Sequence, residues 1–288
     1  KQDEIAKVFT NTDFPAFTLT KVERQQDNPL LDTLVKLRDS EMTEYETNVK
    51  SGKGIISHKM PSFKEALMES FFSLESLNAS PQGTKILAYT NDRVSAYNTL
   101  VRKLMGCNRK PINFGENILA YDTYTQGFEE ILHNGSEYVV TSVKFTERQI
   151  PHFGRFQGYL IVLNDIHLAE DFEVFLLDPE ETARRYEHLG IVLEDLRVKA
   201  VKAKKSIARL HWKKFYDANE SFITMKDIYF EGRVIRKKTI DYGYAQTAHK
   251  SQSSTYTNVF VDVKNIEICK FAEGRRQLQY VALSRATH

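Results

Sequence analysis

A cysteine framework, a long apolar run, a surplus of either charge and a phosphate-binding loop are all missing from this chain. The two cysteines, Cys107 and Cys269, fit neither a metal-ligand spacing nor a disulfide pattern, so a reducing cytosol is the simplest setting. No apolar stretch reaches the roughly 18–20 residues that cross a bilayer, so no membrane contact is expected. The 40 Lys+Arg nearly cancel the 38 Asp+Glu, which excludes a wholly basic nucleic-acid coat and confines any basic site to a local patch. No signal peptide opens the chain; it begins Lys-Gln-Asp-Glu without a methionine, as a piece of a longer protein would. No G-x-x-x-x-G-K-[S/T] occurs, because Ser51-Gly52-Lys53-Gly54 is too short and lacks the frame. No acidic strand end stands out as a magnesium site, and no residue is assigned as a metal ligand.

What is present is enough apolar residue, 41% of 288, for one or two cores. Asn28-Pro29 starts a helix, with Asn28 able to cap and Pro29 suited to the first helical position. Leu30, Leu31, Leu34, Val35 and Leu37 supply its apolar side. Residues 40–61 read as a loop. Ser62-Phe63-Lys64-Glu65 is a capping box, and Phe63, Leu67, Phe71 and Leu74 follow at helical spacing. Ser80-Pro81-Gln82-Gly83 is a turn. Lys85–Thr90 reads as a buried strand and Asp92–Leu104 as a helix with Val94, Tyr97, Val101 and Leu104 on one side. After Pro111 the period becomes strand-like, with strands expected at Asn117–Thr123, Glu137–Phe145, Phe156–Leu163 and Phe172–Leu177 and turn formers between them. That cluster suggests an inserted small β-barrel.

Asp178-Pro179-Glu180-Glu181 begins a long helix. Leu189, Leu193, Leu196, Ala200, Ala203, Ile207 and Leu210 repeat along it at four-three spacing, as a packing seam would. Arg197 to Lys214 carries eight Lys/Arg and no acid, a face that is either merely solvated or in contact with nucleic acid or a larger machine. Val259–Val263 is a buried-strand candidate, and Arg275–Ser284 a helix with Leu278, Val281 and Ala282 inward.

Four blocks carry the chemistry. Phe17 to Gln25 (F-T-L-T-K-V-E-R-Q) contains Arg24, whose planar fork suits phosphoryl oxygens but equally a neighbouring acid. Leu87 to Arg93 (L-A-Y-T-N-D-R) ends a strand in Thr90-Asn91 before a helix, where open α/β sheets bind ligands and helix N–H groups favour phosphate; Asn91 could also be an ordinary cap. Tyr242 to Thr255 packs a hydroxyl, a histidine, a lysine and a glutamine into a few residues before a strand. Gln279 to Ala286 (Q-Y-V-A-L-S-R-A) places Arg285 at a helix end, where a dipole contact worth about 0.3–1 kcal/mol is the ordinary use of an arginine.

In this order the blocks resemble the C-terminal half of superfamily 1 DNA helicases of the RecD/Dda type, with UvrD-like C-terminal motifs. The resemblance covers nearly the whole chain, the middle by layout more than by residues. It implies an α/β fold: a RecA-like parallel-sheet domain of the P-loop NTPase type, residues 1–110 and 239–288, with a small β-barrel and basic helix inserted at 111–238. It implies the motor half of an ATP-dependent helicase that couples hydrolysis to translocation on single-stranded DNA, from 5′ to 3′, and to duplex unwinding. Arg24 and Arg285 would be the catalytic arginines, worth about 10³–10⁵ in rate where such fingers act. Thr90, Asn91, Thr247, His249, Lys250 and Ser253 would grip DNA, and Gln252 would couple the grip to the nucleotide. ATP and Mg would be bound mainly by a missing upstream RecA-like domain, so the chain alone is expected to be inactive. Partners would be single-stranded DNA, that upstream domain, and candidate replication or repair proteins, in the cytoplasm of a bacterial or phage-infected cell. One departure stands out: the family usually has Gly where this chain has Ser253, and Gly permits a positive φ. Two other readings fit the motifs: a non-catalytic nucleic-acid-binding module, and an RNA helicase of the viral superfamily 1 type.

Overall fold

A computed structural model of the chain describes residues 28–40, 42, 44–72, 83–127, 129–165 and 168–287. Helix α1 (Leu30–Asp39) starts where expected: Asn28 Oδ1 accepts the Leu30 N–H at 2.9 Å, with Pro29 just ahead of the first helical residue. Leu30, Leu34 and Leu37 are buried, but Val35 is exposed, so the apolar side is narrower than the sequence suggested. The expected loop at 40–61 contains a hairpin, β1 (Asn48–Lys50) and β2 (Lys53–Ile55). Its two turn residues, Ser51 and Gly52, have φ of 53° and 77°, a pairing that matches strand twist. Helix α2 (Met60–Phe72) begins ahead of the capping box: the Ser62 hydroxyl donates to the Lys59 carbonyl at 3.0 Å instead of capping. Leu74 and the expected turn at 80–82 lie outside the described residues. Strand β3 (Thr84–Ala88) and helix α3 (Asn91–Leu104) follow. The cap of α3 is Thr90, not Asn91; Thr90 Oγ1 accepts the Arg93 N–H at 3.3 Å.

The strand-rich middle is β4 (Asn117–Ala120), a short unexpected hairpin β5 (Tyr124–Gln126) and β6 (Glu129–Leu132), the long hairpin β7 (Glu137–Ile150) and β8 (Gly154–Asp165), and β9 (Glu170–Leu177). The long helix is broken in two. Thr182, not Asp178, caps α4 (Ala183–Lys202), and Ala203 and Lys204 are extended before α5 (Lys205–Asn219). The apolar seam therefore stops at Ala200, and Ile207 and Leu210 are exposed. The break lets Phe215 and Ala218 of α5 join Leu189, Leu193 and Leu196 of α4 over Phe175, Leu177 and Phe222, so packing overrides the continuous helical pattern. A hairpin of β10 (Ile228–Phe230) and β11 (Arg233–Arg236) follows, then β12 (Ile240–Tyr242).

Five strands pair antiparallel in the order β12-β4-β7-β8-β9. The segment expected to be a barrel is thus a five-stranded sheet whose two edges are linked by Phe222–Thr224. The Ile223 N–H donates to Phe175 and its carbonyl accepts from Leu177, while Thr224 accepts from Thr239 and Ile240. Inside lie Ile118, Tyr138, Val140, Ile161, Leu163, Val174, Leu176, Ile223 and Ile240. Alternation along β9 sends Phe175 and Leu177 to the opposite face, under the helices.

The last residues build the parallel sheet: β13 (Ala245–Thr247), β14 (Asn258–Val261), the short α6 (Val263–Ile266) and α7 (Ala272–Leu283). The order is β13-β3-β14, with Ala245 opposite Ile86 and Phe260 also opposite Ile86. Ile86 and Ala88 face Leu67 of α2 and Val94, Tyr97 and Val101 of α3; Leu87 faces Ile266, Leu278 and Ala282 on the other side. The result is a mixed α/β protein with helices on both faces of the parallel sheet. Among the described residues no helix is long and apolar enough to cross a membrane.

Only Gly243 and Tyr244 separate β12 from β13, so the chain steps directly from one sheet to the other. Two buried ion pairs secure that step. Lys85, with no exposure, pairs with Glu137 at 2.8 Å and donates to the Gly243 carbonyl. Arg102 pairs with Glu116 at 2.5 Å, donates to the Cys107 and Lys110 carbonyls, and lies over the Tyr242 ring.

Candidate functional site

In a parallel sheet all strands end at the same edge. Here β3 ends before Tyr89-Thr90, β13 before Ala248-His249-Lys250, and β14 before Asp262, so three loops meet at one C-terminal edge, the usual ligand side of an open α/β sheet. The second and third blocks are therefore brought together: the Ala248 N–H donates to Ala88, and the His249 ring lies 5.9 Å from the Tyr89 ring.

Thr90 has its own support. Asn265 Oδ1 accepts the Tyr89 and Thr90 N–H groups at 2.7 and 2.9 Å, and Asn265 Nδ2 donates to the Thr90 hydroxyl at 3.2 Å. Asn91 is exposed in the first turn of α3. Asp262 ends β14, caps α6 through the Asn265 N–H, and accepts from Arg93 and the Tyr97 hydroxyl at 2.7 Å each. Asp262 holds the Arg93 guanidinium above its ordinary pKa, with burial opposing; burial, then Asp262, pushes the Tyr97 phenol up. Neither Asn265 nor Asp262 was singled out from sequence. Asp262 was read as the interior of a strand, although Asp before a new helix is a legible cap signal.

In the third block, Thr247 is buried and its hydroxyl accepts the Lys250 N–H at 3.3 Å. Ser251 is buried, its hydroxyl on the Ala248 carbonyl at 2.8 Å, which tightens the turn. His249 and Gln252 are exposed, and the Gln252 N–H reaches the His249 carbonyl at 3.4 Å. Ser253 has φ 73°, so serine occupies the left-handed position that the departure from Gly implied. Lys250 swings to the antiparallel sheet, its Nζ 3.3 Å from the Tyr121 ring centre. Burial there, with Lys238 and Lys237 nearby and Asp241 and Asp122 opposing, brings its pKa down to about 8.

The fourth block meets the third through backbone. The Tyr256 N–H donates to the Arg285 carbonyl, and the Thr287 N–H donates to Tyr256, at 2.9 Å each. The Arg285 guanidinium donates to the Val281 carbonyl at 3.1 Å, the Ser284 hydroxyl at 3.1 Å and the Ser254 carbonyl at 3.4 Å. Arg24 and the first block lie outside the described residues.

The edge is rich in donors: helix N–H groups, Thr90, His249 and Lys250; Arg285 lies at the opposite end of the third-block turn, beside the start of β14. The edge's one strand-end carboxylate, Asp262, is already paired. Such a set favours an anion. Among the described residues no group of three His, Cys, Asp or Glu side chains is placed to share a metal ion.

No protein-family model matches the chain, and no curated protein does. Among solved structures it is similar to the Pif1 helicase from Bacteroides in complex with ADP-AlF3 and ssDNA, at 12% identity and TM-score 0.44, covering 93% of this chain and 49% of that one. It is similar also to the Pif1 helicase from Candida albicans, at 16% identity and TM-score 0.43, covering 93% and 53%. A third, Bacteroides Pif1 bound to ssDNA, shows 11% identity and TM-score 0.42, covering 93% and 49%. The chain spans about half the length of these proteins.

Proposed function

We propose that this chain is the second, strand-gripping half of a superfamily 1 DNA helicase motor of the RecD/Dda type. The observation that supports this best is that the third-block turn links the other two blocks: it meets the second at the C-terminal edge through the Ala248–Ala88 backbone bond and the fourth beside the start of β14 through the Tyr256–Arg285 bond. Thr90, Asn91, Thr247 and His249 offer hydroxyl, amide and imidazole groups to a strand backbone from two adjacent loops. Arg285, at the far end of the third-block turn, supplies a guanidinium to the transferred phosphoryl group. ATP with Mg, when bound, supplies the phosphoanhydride whose cleavage drives the motor, and an upstream RecA-like domain would carry most of that site. Gln252 and Ser253 lie between the His249 grip and the Ser254 carbonyl that Arg285 touches, so a shift of Arg285 pulls on the turn that carries His249. The basic face of α4 and α5 is offered to the same nucleic acid: Lys202, Lys204, Lys205, Arg209, Lys213 and Lys214 are exposed, while Arg197 and Lys199 are held by Glu194 and Asp195.

The test is ATP hydrolysis with and without single-stranded DNA, on this chain and on a protein extended upstream to include a phosphate-loop domain. DNA-stimulated turnover is expected only in the extended protein, and Arg285→Ala there should cut it about 10³-fold or more with strand binding retained. No turnover in the extended protein, with binding intact, would replace the motor by a non-catalytic binding module.

A further inference from the structure

Lys250 leaves the parallel-sheet edge and ends on Tyr121, and Tyr121 is shared. Lys238 lies over the same ring, 4.3 Å from its centre. Tyr121 and Asp122 are pinned there because both their N–H groups donate to the Thr239 carbonyl, at 2.8 and 3.3 Å. Lys238 in turn lines a shallow groove of about 370 Å³ with Met225, Lys226, Asp227 and Tyr229. That volume is at the low end of the roughly 300–1,000 Å³ typical of small-ligand sites. Lysine, aromatic ring, lysine and aromatic ring thus follow one another from the edge onto the antiparallel half of the molecule.

Three features make this path suited to a polyanion with flat bases. Among the described residues no carboxylate lies within ion-pair distance of Lys226, Lys237 or Lys250. The acids nearby are engaged: Asp227 Oδ1 accepts the Lys238 N–H at 2.7 Å, Asp241 pairs with the Lys238 ammonium and accepts the Tyr242 N–H, and Asp122 accepts the Thr123 N–H. Tyr229 is half exposed yet fixed at its backbone, because Gly190 of α4 packs on its carbonyl so closely that a Cβ there would lie 1.9 Å from the oxygen. An exposed ring on a fixed backbone, beside lysines, is the pairing that single-strand binders use, with backbone on cations and bases on rings.

We propose that the groove lined by Lys226, Tyr229 and Lys238 is a further subsite for single-stranded nucleic acid, entered from Lys250 by way of Tyr121, with phosphates on Lys250 and Lys226 and a base stacked on Tyr229. This rests on the reading of the sheet edge as a strand grip. Lys250 is then the hand-over point, turning from the Tyr121 ring to a phosphate as the strand passes.

The experiment is a fluorescence-anisotropy titration of the full 288-residue chain with oligo-dT of increasing length, at several salt concentrations. Tyr229→Ala should weaken long strands about tenfold and leave the shortest binding strands unchanged, while Tyr229→Phe, which keeps the ring, should bind like the wild type. Lys226→Ala should lower the slope of log affinity against log salt by about 0.7. His249→Ala, which acts at the edge, should weaken strands of every length. Tyr229→Ala and Lys226→Ala variants that match the wild type at all lengths and salts would overturn the groove while leaving the edge standing. A wild-type chain that binds no strand of any length would overturn both. Failure of Tyr229→Phe together with Tyr229→Ala, at unchanged circular dichroism, would overturn the stacking. The same titration with a matched RNA strand identifies which sugar the subsite accepts, and length-dependent loss with either supports it.

Discussion

Lys85 and Lys250 are both anchored beside the parallel sheet, yet they are held in opposite ways. Lys85, at the junction of the two sheets, is sealed from water with Glu137 as its counter-charge and the Gly243 carbonyl as a second acceptor. Lys250, at the sheet's C-terminal edge, rests on the face of Tyr121. Arg102 repeats the first arrangement, paired with buried Glu116. A buried cation with its own carboxylate is complete and specifies how two layers meet. A cation resting on a ring keeps most of its charge available for an external anion.

The largest expected effect comes from breaking the completed pair. Lys85→Met leaves Glu137 buried without its partner and should cost about 3–5 kcal/mol in urea unfolding. Adding Glu137→Leu should return most of that loss, since the stranded charge is then gone. A single mutant as stable as the double would mean that water reaches Glu137 and that the junction is not sealed.

The edge should respond to pH where the junction does not. Desolvation against Tyr121, then the nearby Lys238, brings the pKa of the still partly exposed Lys250 down from its ordinary 10.5 to about 8. Strand affinity should fall about tenfold between pH 7 and pH 9 as its charge is lost, and Lys250→Arg should flatten that fall. Stability moves the other way. With the folded pKa below the unfolded one, the cost of holding a charged Lys250 on Tyr121 is present in full below about pH 8 and is relieved as pH rises towards 10.5. Unfolding free energy of the wild type should therefore gain on that of Lys250→Met across this window. A constant difference between the two would show that Lys250 is fully solvated.

The smallest effect concerns the turn that links the two kinds of site residue. Ser253→Gly relieves a left-handed serine at φ 73° and should stabilise the protein by about 0.5–1 kcal/mol, the gain offset in part by a freer unfolded chain. A loss of stability would mean that the serine hydroxyl makes a compensating bond.

Strands and helices with one dominant period were legible in the sequence. Lys85–Ala88, the β7–β9 hairpins and α3 fall close to where the alternation placed them. The hairpin at Asn48–Ile55 was not, because three-residue strands carry too little periodicity and Ser51 is an unusual turn residue. The break after Lys202 was hidden for the opposite reason: the apolar seam continues in sequence through Leu210, while the chain turns to bury Phe215 and Ala218 instead. Within the candidate site, Thr90, His249 and Lys250 were legible as residue types in a pattern. Tyr121, Lys238 and Asn265 were not, since each matters through a neighbour distant in the chain; Asp262 carried a local cap signal, but the strand pattern around it was read instead.

The sequence by itself determined what is local: the helical and strand periods, the four blocks and their order, and the left-handed cost expected at Ser253. Each depends on residues within a turn or two of one another. Tertiary structure decided which groups are finished and which are available. Lys85 meets Gly243 across 158 residues, and Arg93 meets Asp262 across 169. Such partners are chosen by which faces the two sheets bury, and burial is a property of the packed layers that no run of neighbours encodes.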